Sequence, residues 1–133
     1  YQKSGDKMWT NPQHNYSIDE SVLFEIASRC GCSTLHVGMI GGYLDSDEDS
    51  LVRTINKLVS LNSVPALSCG MHTGLIQYIV DKLGHCNWMA NVGGAISSHP
   101  MGSAAGVRAM TQAISGEHGK EYRKAIKTWG LKS

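Results

Sequence analysis

Three short apolar runs, each running into glycine and separated by helical patterns, set the narrowest limit on what this chain can fold into. Thr34-Leu35-His36-Val37 stops at Gly38, Pro65-Ala66-Leu67-Ser68-Cys69 stops at Gly70, and Asn87-Trp88-Met89-Ala90-Asn91-Val92 stops at Gly93-Gly94. Between them, Leu51, Val52, Ile55, Leu58 and Val59 recur at helical spacing, and so do Leu75, Ile76, Ile79, Val80 and Leu83. Successive strand-helix units with apolar strands imply a parallel sheet covered by helices, joined by right-handed crossovers. The patterns predict strands at Thr34–Val37, Ala66–Cys69 and Trp88–Val92. Helices are expected at Glu20–Cys30, Ser50–Leu61, Gly74–Leu83 and Ser103–Ile114, with a polar, basic terminal helix at Glu117–Trp129. Ser17-Ile18-Asp19-Glu20 supplies the cap of the first helix, and Val22, Leu23, Ile26 and Ala27 mark its expected buried face.

Three parallel strands make an incomplete architecture. A closed barrel of this type needs eight strand-helix units and ~250 residues, whereas this chain has 133. Left open, the sheet exposes two edges, a recognised association hazard. The expectation is one domain over residues 1–133, completed by a missing N-terminal portion, a partner chain or self-association. The first residue is Tyr1 rather than Met, which fits a processed, trimmed or partial chain.

Composition narrows the function classes. A net charge of +1 gives no field directed at nucleic acid or an anionic membrane. No apolar run approaches the ~18 residues of a membrane span, and residues 1–7 lack the apolar core of a secretory leader. A cytoplasmic protein is expected. Cys30, Cys32, Cys69 and Cys86 have no zinc or redox spacing, so free, reduced and mostly buried thiols are expected.

Chemistry is expected where parallel strands end. Gly38, Gly70, Gly93 and Gly94 would let backbone N–H groups approach an anionic oxygen, and a following helix N-terminus would add partial positive charge. Turn formation explains the same glycines equally well. His36, near its strand end, could donate to a phosphate or hydroxyl oxygen, and Ser68 could bind a sugar hydroxyl; each could also be a structural residue. His99 reads as a turn or helix-entry residue, while His14, His72, His85 and His118 form no readable constellation. No nucleophile-base set and no metal-ligand cluster is legible. The acids Asp45, Asp47, Glu48 and Asp49 read as a solvated loop capping the next helix, and residues 39–49 as exposed and mobile.

The motifs taken together resemble the ribulose-bisphosphate carboxylase (RuBisCO) large-chain family. His36-Val37-Gly38-Met39-Ile40-Gly41-Gly42-Tyr43-Leu44-Asp45 is similar to its pattern His-x-Gly-Thr-Val-x-Gly-Lys-Leu-Glu-Gly. Pro65-Ala66-Leu67-Ser68-Cys69-Gly70-Met71-His72 resembles Pro-x-x-Ser-Gly-Gly-Ile-His. Residues from Gly93-Gly94-Ala95 to His99-Pro100-Met101-Gly102 resemble Gly-Gly-Gly-x-x-Gly-His-Pro-x-Gly, and Asn11-Pro12-Gln13-His14 resembles Asn-Pro-Glu-His. The resemblance implies strands six to eight of a TIM (β/α)8 barrel plus a terminal helix. It implies that Gly70, Gly93 and Gly94 hold one phosphate of a sugar-phosphate ligand, that His36 lies near a second phosphate, and that Ser68 contacts a hydroxyl. It also implies Mg²⁺ for the complete enzyme, with ligands on an earlier strand outside this chain, and a homo-oligomer of the full protein.

The departures bear on activity. Tyr43 stands where the family's mobile-loop Lys stabilises the carboxylate developing during carboxylation, and a phenol offers no permanent cation. The family's upstream His-Arg pair is met by Tyr1-Gln2 or Lys3-Ser4, without the Arg. These residues fit a RuBisCO-like enzyme performing enolisation or isomerisation on a phosphorylated sugar or sugar-derived ketone. The alternatives are part of a true carboxylase and a non-catalytic binding or assembly module. No catalytic residue is assigned within the chain. Tyr43→Lys is expected to restore no carbon fixation to this chain, because the Arg and the metal site are missing as well. Incorporation of labelled carbon dioxide by the variant would overturn that expectation.

Overall fold

A computed structural model describes residues 7–11, 13–41 and 47–133. The described elements are α1 (Lys7–Thr10), α2 (Glu20–Arg29), β1 (Thr34–Gly38), α3 (Glu48–Ser60), β2 (Val64–Leu67), a 3₁₀ turn (Thr73–Leu75) running into α4 (Ile76–Leu83), β3 (Met89–Ala90), α5 (Gly93–Ser97), α6 (Ser103–Ser115) and α7 (Lys120–Trp129). The strands form one parallel sheet in the order β1-β2-β3.

Register determines which residues share a face. Thr34 pairs with Val64 and His36 with Ala66, and Ala66 pairs with Met89, so these residues lie on one side of the sheet. Leu35, Val37, Pro65 and Leu67 point the other way and are fully buried under the helices. Leu35, Val37 and Leu67 join Phe24, Ile55, Leu58, Leu75 and Ile79 in the core. On the other side exposure is uneven: Val64 is 44% and Met89 40% exposed, while Ala66 is buried.

Local chemistry explains the helix boundaries. Asp19 caps α2 by accepting from Ser21 N at 2.9 Å, and Asp47 caps α3 by accepting from Asp49 N at 3.2 Å. Glu48 and Asp49 in the first turn of α3 suit the helix dipole, as read from the acidic run. Gly84 and Gly116 end α4 and α6 in the left-handed conformation.

Several expectations need correction. The second strand is Val64–Leu67, because Cys69 (φ 74°) and Gly70 (φ 103°) turn the chain away immediately afterwards. The third shrinks to Met89–Ala90, since residues 93–97 form a helix that the pattern did not announce. Phe24 is the buried residue of α2; of the expected face, Ala27 packs on the core and Leu23 is half-buried, while Val22 and Ile26 are 47% and 53% exposed. Met39 and Ile40 are buried rather than part of an exposed loop. Tyr43 and Asp45 lie outside the described residues. All four thiols are free, but Cys30, Cys69 and Cys86 are exposed, each standing outside the helix and strand cores. No described helix is long and apolar enough to cross a membrane.

The junction of α6 and α7 is polar. Glu121, only 5% exposed, accepts from Gln112 Nε2 at 2.9 Å and from Arg108 Nε at 3.1 Å, and its carbonyl accepts from His99 Nε2 at 3.1 Å. The Gln112 hydrogen bond, then backbone and Arg108 contacts, pull its carboxyl from the ordinary 4.5 down to about 2. A depressed carboxylate stabilises the fold fully above its unfolded value and loses that contribution as pH falls through the folded one. Acid titration should therefore remove stability between pH 4.5 and about 2. Glu121→Gln should flatten that part of the profile in denaturant melts taken at several pH values; an unchanged slope would contradict the assignment.

Candidate functional site

Parallel pairing brings the C-terminal ends of all three strands to one rim. His36 stands on the helix-free face of β1 and is half-buried. Ser68, just past β2, places Oγ 3.4 Å from His36 Nδ1, and Asn91, just past β3, places Nδ2 3.4 Å from His36 Nε2. These long contacts align Ser68, His36 and Asn91 across the rim. The backbone holds the row in place: Ser68 N donates to Gly38 O at 3.0 Å, and Asn91 N donates to Leu67 O at 2.9 Å.

Beside this row lies a concavity of about 460 Å³, lined in part by Gly70, Met71, His72, Asn91, Gly94 and Trp129. Gly94 belongs to the first turn of α5, whose N–H groups have no partner within the helix. A Cβ built on Gly93 or Gly94 would meet nothing within 4 Å, so the space over both is open. Gly70 and Gly94 thus face one concavity, whereas Gly93 is exposed next to Gly94 and is not part of its lining. Neither Gly70 nor Gly93 directly ends a strand; each follows one by a short turn.

His72 was unreadable in sequence because its neighbours come from afar. Its Nδ1 accepts from Gly74 N at 3.2 Å, and its ring stacks at 6.2 Å from Trp129 at the end of α7. Burial pushes this imidazole below its ordinary value, so the neutral ring keeps its proton on Nε2 as a donor. Asn91 could have been noticed as a polar side chain closing an apolar strand run. Trp129 carried no signal in sequence, being one aromatic at the end of a polar helix.

A second cluster braces the rim. Glu48 accepts from Tyr78 Oη at 2.7 Å, Gly41 N at 2.9 Å and Lys132 Nζ at 3.3 Å. The Tyr78 hydroxyl, ahead of the others, holds the Glu48 carboxyl below the usual carboxylate range. Lys132 also lies 4.8 Å from the Tyr78 ring centroid, and its N–H donates to Gly74 O at 3.1 Å. No group of three or more His, Cys, Asp or Glu among the described residues could hold a metal ion.

Residues 52–129 match the family model of the ribulose bisphosphate carboxylase large chain, catalytic domain. The ribulose bisphosphate carboxylase of Thermococcus kodakarensis is 30% identical over 90% of this chain and 34% of its own length. The 2,3-diketo-5-methylthiopentyl-1-phosphate enolase of Exiguobacterium sibiricum is 35% identical over 51% of this chain and 20% of its own. The crystal structure of the octameric RuBisCO of Pyrococcus horikoshii superposes with a TM-score of 0.83 at 21% identity, covering 97% of this chain and 34% of that one. The chain spans about a third of the length of its carboxylase relatives.

The concavity depends on one close approach. A Cβ at Gly74 would collide with the Gly130 carbonyl, so only glycine admits the end of α7 against the 3₁₀ turn. Gly74→Ala should cost about 1–3 kcal/mol as an overpacking substitution. It should lower the urea midpoint without changing the slope. An unaltered midpoint would show that the contact is not needed.

Proposed function

The chain belongs to the RuBisCO large-chain family, its three strands matching the C-terminal part of that family's barrel, and from this we propose that it forms the phosphate-holding part of a RuBisCO-like enzyme. The substrate class is a phosphorylated sugar or sugar-derived ketone, and the reaction an enolisation or isomerisation. One observation carries the reading: Gly70 and Gly94 face a single open concavity where parallel strands end. Backbone N–H groups at such a rim, beside the first turn of α5, form an environment suited to a phosphate dianion.

In this reading Gly70, Gly93 and Gly94 hold one phosphate, His36 lies toward a second, and Ser68 meets a substrate hydroxyl. The Ser68–His36–Asn91 row gives these groups fixed orientations. Positioning of this kind lowers a barrier by preparing the reacting geometry in advance. Mg²⁺ and the general base come from outside this chain. The helix-free sheet face and the open edges of β1 and β3 are covered by further barrel strands, in the same polypeptide or another, and the complete protein is a homo-oligomer. Tyr43 in place of the loop Lys, together with the relation to the Exiguobacterium enolase, supports a RuBisCO-like activity.

A second reading is part of a true carboxylase, supported by the longer alignments to carboxylases such as that of Thermococcus kodakarensis. Ribulose-bisphosphate-dependent carbon fixation by the complete assembly would decide for it; enolisation without fixation would decide for the first.

The phosphate assignment has its own test. A Cβ at Gly94 meets no protein atom within 4 Å, so Gly94→Val should fold normally yet obstruct the anion. A charge-assisted hydrogen bond is worth ~1.5–3 kcal/mol, so loss of one should weaken phosphate-ester binding at least about tenfold. Ser98→Val, whose hydroxyl is occupied by Gly94 O at 2.6 Å, should weaken it less. Equal affinity of the two variants in calorimetric titration would remove the phosphate assignment.

A further inference from the structure

We infer that Trp129, at the C-terminal end of α7, is a specificity-determining wall of the phosphate concavity, and that the site takes phosphate monoesters carrying an apolar group next to the phosphate. This inference rests on the phosphate reading of Gly70 and Gly94.

The lining of the concavity is chemically mixed. Gly70, Gly94 and Asn91 share it with Trp129 and with the apolar residues Met71 and Ala95, which are themselves 4% and 8% exposed. An anion gains nothing from the apolar part of this lining. A ligand with an apolar group attached to the phosphate can use it.

The position of Trp129 is fixed by contacts on several sides. Its ring lies 6.2 Å from that of His72, nearly parallel, and 6.0 Å from that of His99, tilted by 59°. His72 is held by Gly74 N, and His99 by Met101 N and the Glu121 carbonyl. The chain just beyond it is tied down where Gly130 packs on Gly74, where Lys132 N donates to Gly74 O and where Lys132 Nζ reaches Glu48. An indole held this way presents a preorganised apolar surface, which binds without the cost of ordering a mobile side chain. The wall therefore comes from the last helix, while the phosphate-facing backbone comes from the segments after β2 and β3.

The test compares inorganic phosphate, methyl phosphate and n-butyl phosphate, titrated into the full chain and its Trp129→Ala and Trp129→Phe variants. Each fully buried methylene is worth roughly fourfold in affinity. In the unmodified protein n-butyl phosphate should therefore bind at least about tenfold tighter than methyl phosphate in this open site. Trp129→Ala should abolish that increment while leaving inorganic phosphate binding within about twofold, and Trp129→Phe should retain most of it. Inorganic phosphate that binds without any gain from the butyl group overturns the wall and spares the phosphate reading. A butyl gain that persists in Trp129→Ala does the same. Failure of all three phosphates to bind overturns both. Should the alanine variant unfold, Trp129→Gln replaces it: loss of the butyl increment in that folded variant supports the wall, and an undiminished increment overturns it.

Discussion

Parallel pairing of β1, β2 and β3 is the interaction on which the rest of this molecule depends, because strands that run the same way must leave the sheet at the same end. Residues far apart in sequence, Ser68, His36 and Asn91, become neighbours at that end through this alone. The same pairing sends Leu35, Val37, Pro65 and Leu67 under the helices and leaves Val64 and Met89 exposed on the other face. His36 stands on the same side of the sheet as Val64 and Met89.

The glycines act at two different scales. At Gly94 an absent side chain leaves room for something outside the protein. At Gly74 and Gly106 it leaves room for the protein itself: a Cβ at Gly106 would strike the backbone of Ile96, so α5 and α6 can pack only because it is missing. Sequence does not separate these uses, since both are simply glycine near a turn. Only the neighbouring atoms distinguish a glycine beside open space from one that admits a helix.

Legibility followed the range of the interactions. The helical faces of α3 and α4 were readable because Leu51, Ile55, Leu58, Ile79 and Leu83 repeat within a few residues and meet one sheet. The expected face of α2 holds in part: Ala27 packs on the core beside the buried Phe24, whereas Val22 and Ile26 are exposed. The short β3 and the unexpected α5 reflect competition within residues 87–97, where an apolar run can continue a strand or begin a helix and tertiary packing decides. His36, Ser68 and the glycines were visible through strand position and family resemblance. Asn91, His72 and Trp129 were not, because their roles arise from contacts between distant segments. That is most plain for the His72–Trp129 stack, which joins the end of the chain to its middle.

The contact between Gly74 and Gly130 has a consequence in time as well as in space. The β-α units can form from local and near-neighbour contacts, but the end of α7 reaches the 3₁₀ turn only after the intervening chain has closed as a loop. The backbone rim that begins at Gly70 can therefore form before the indole side of the concavity does. Amide exchange should follow the same order in reverse, the Lys132 N–H opening at lower free energy than the ladder between β1 and β2.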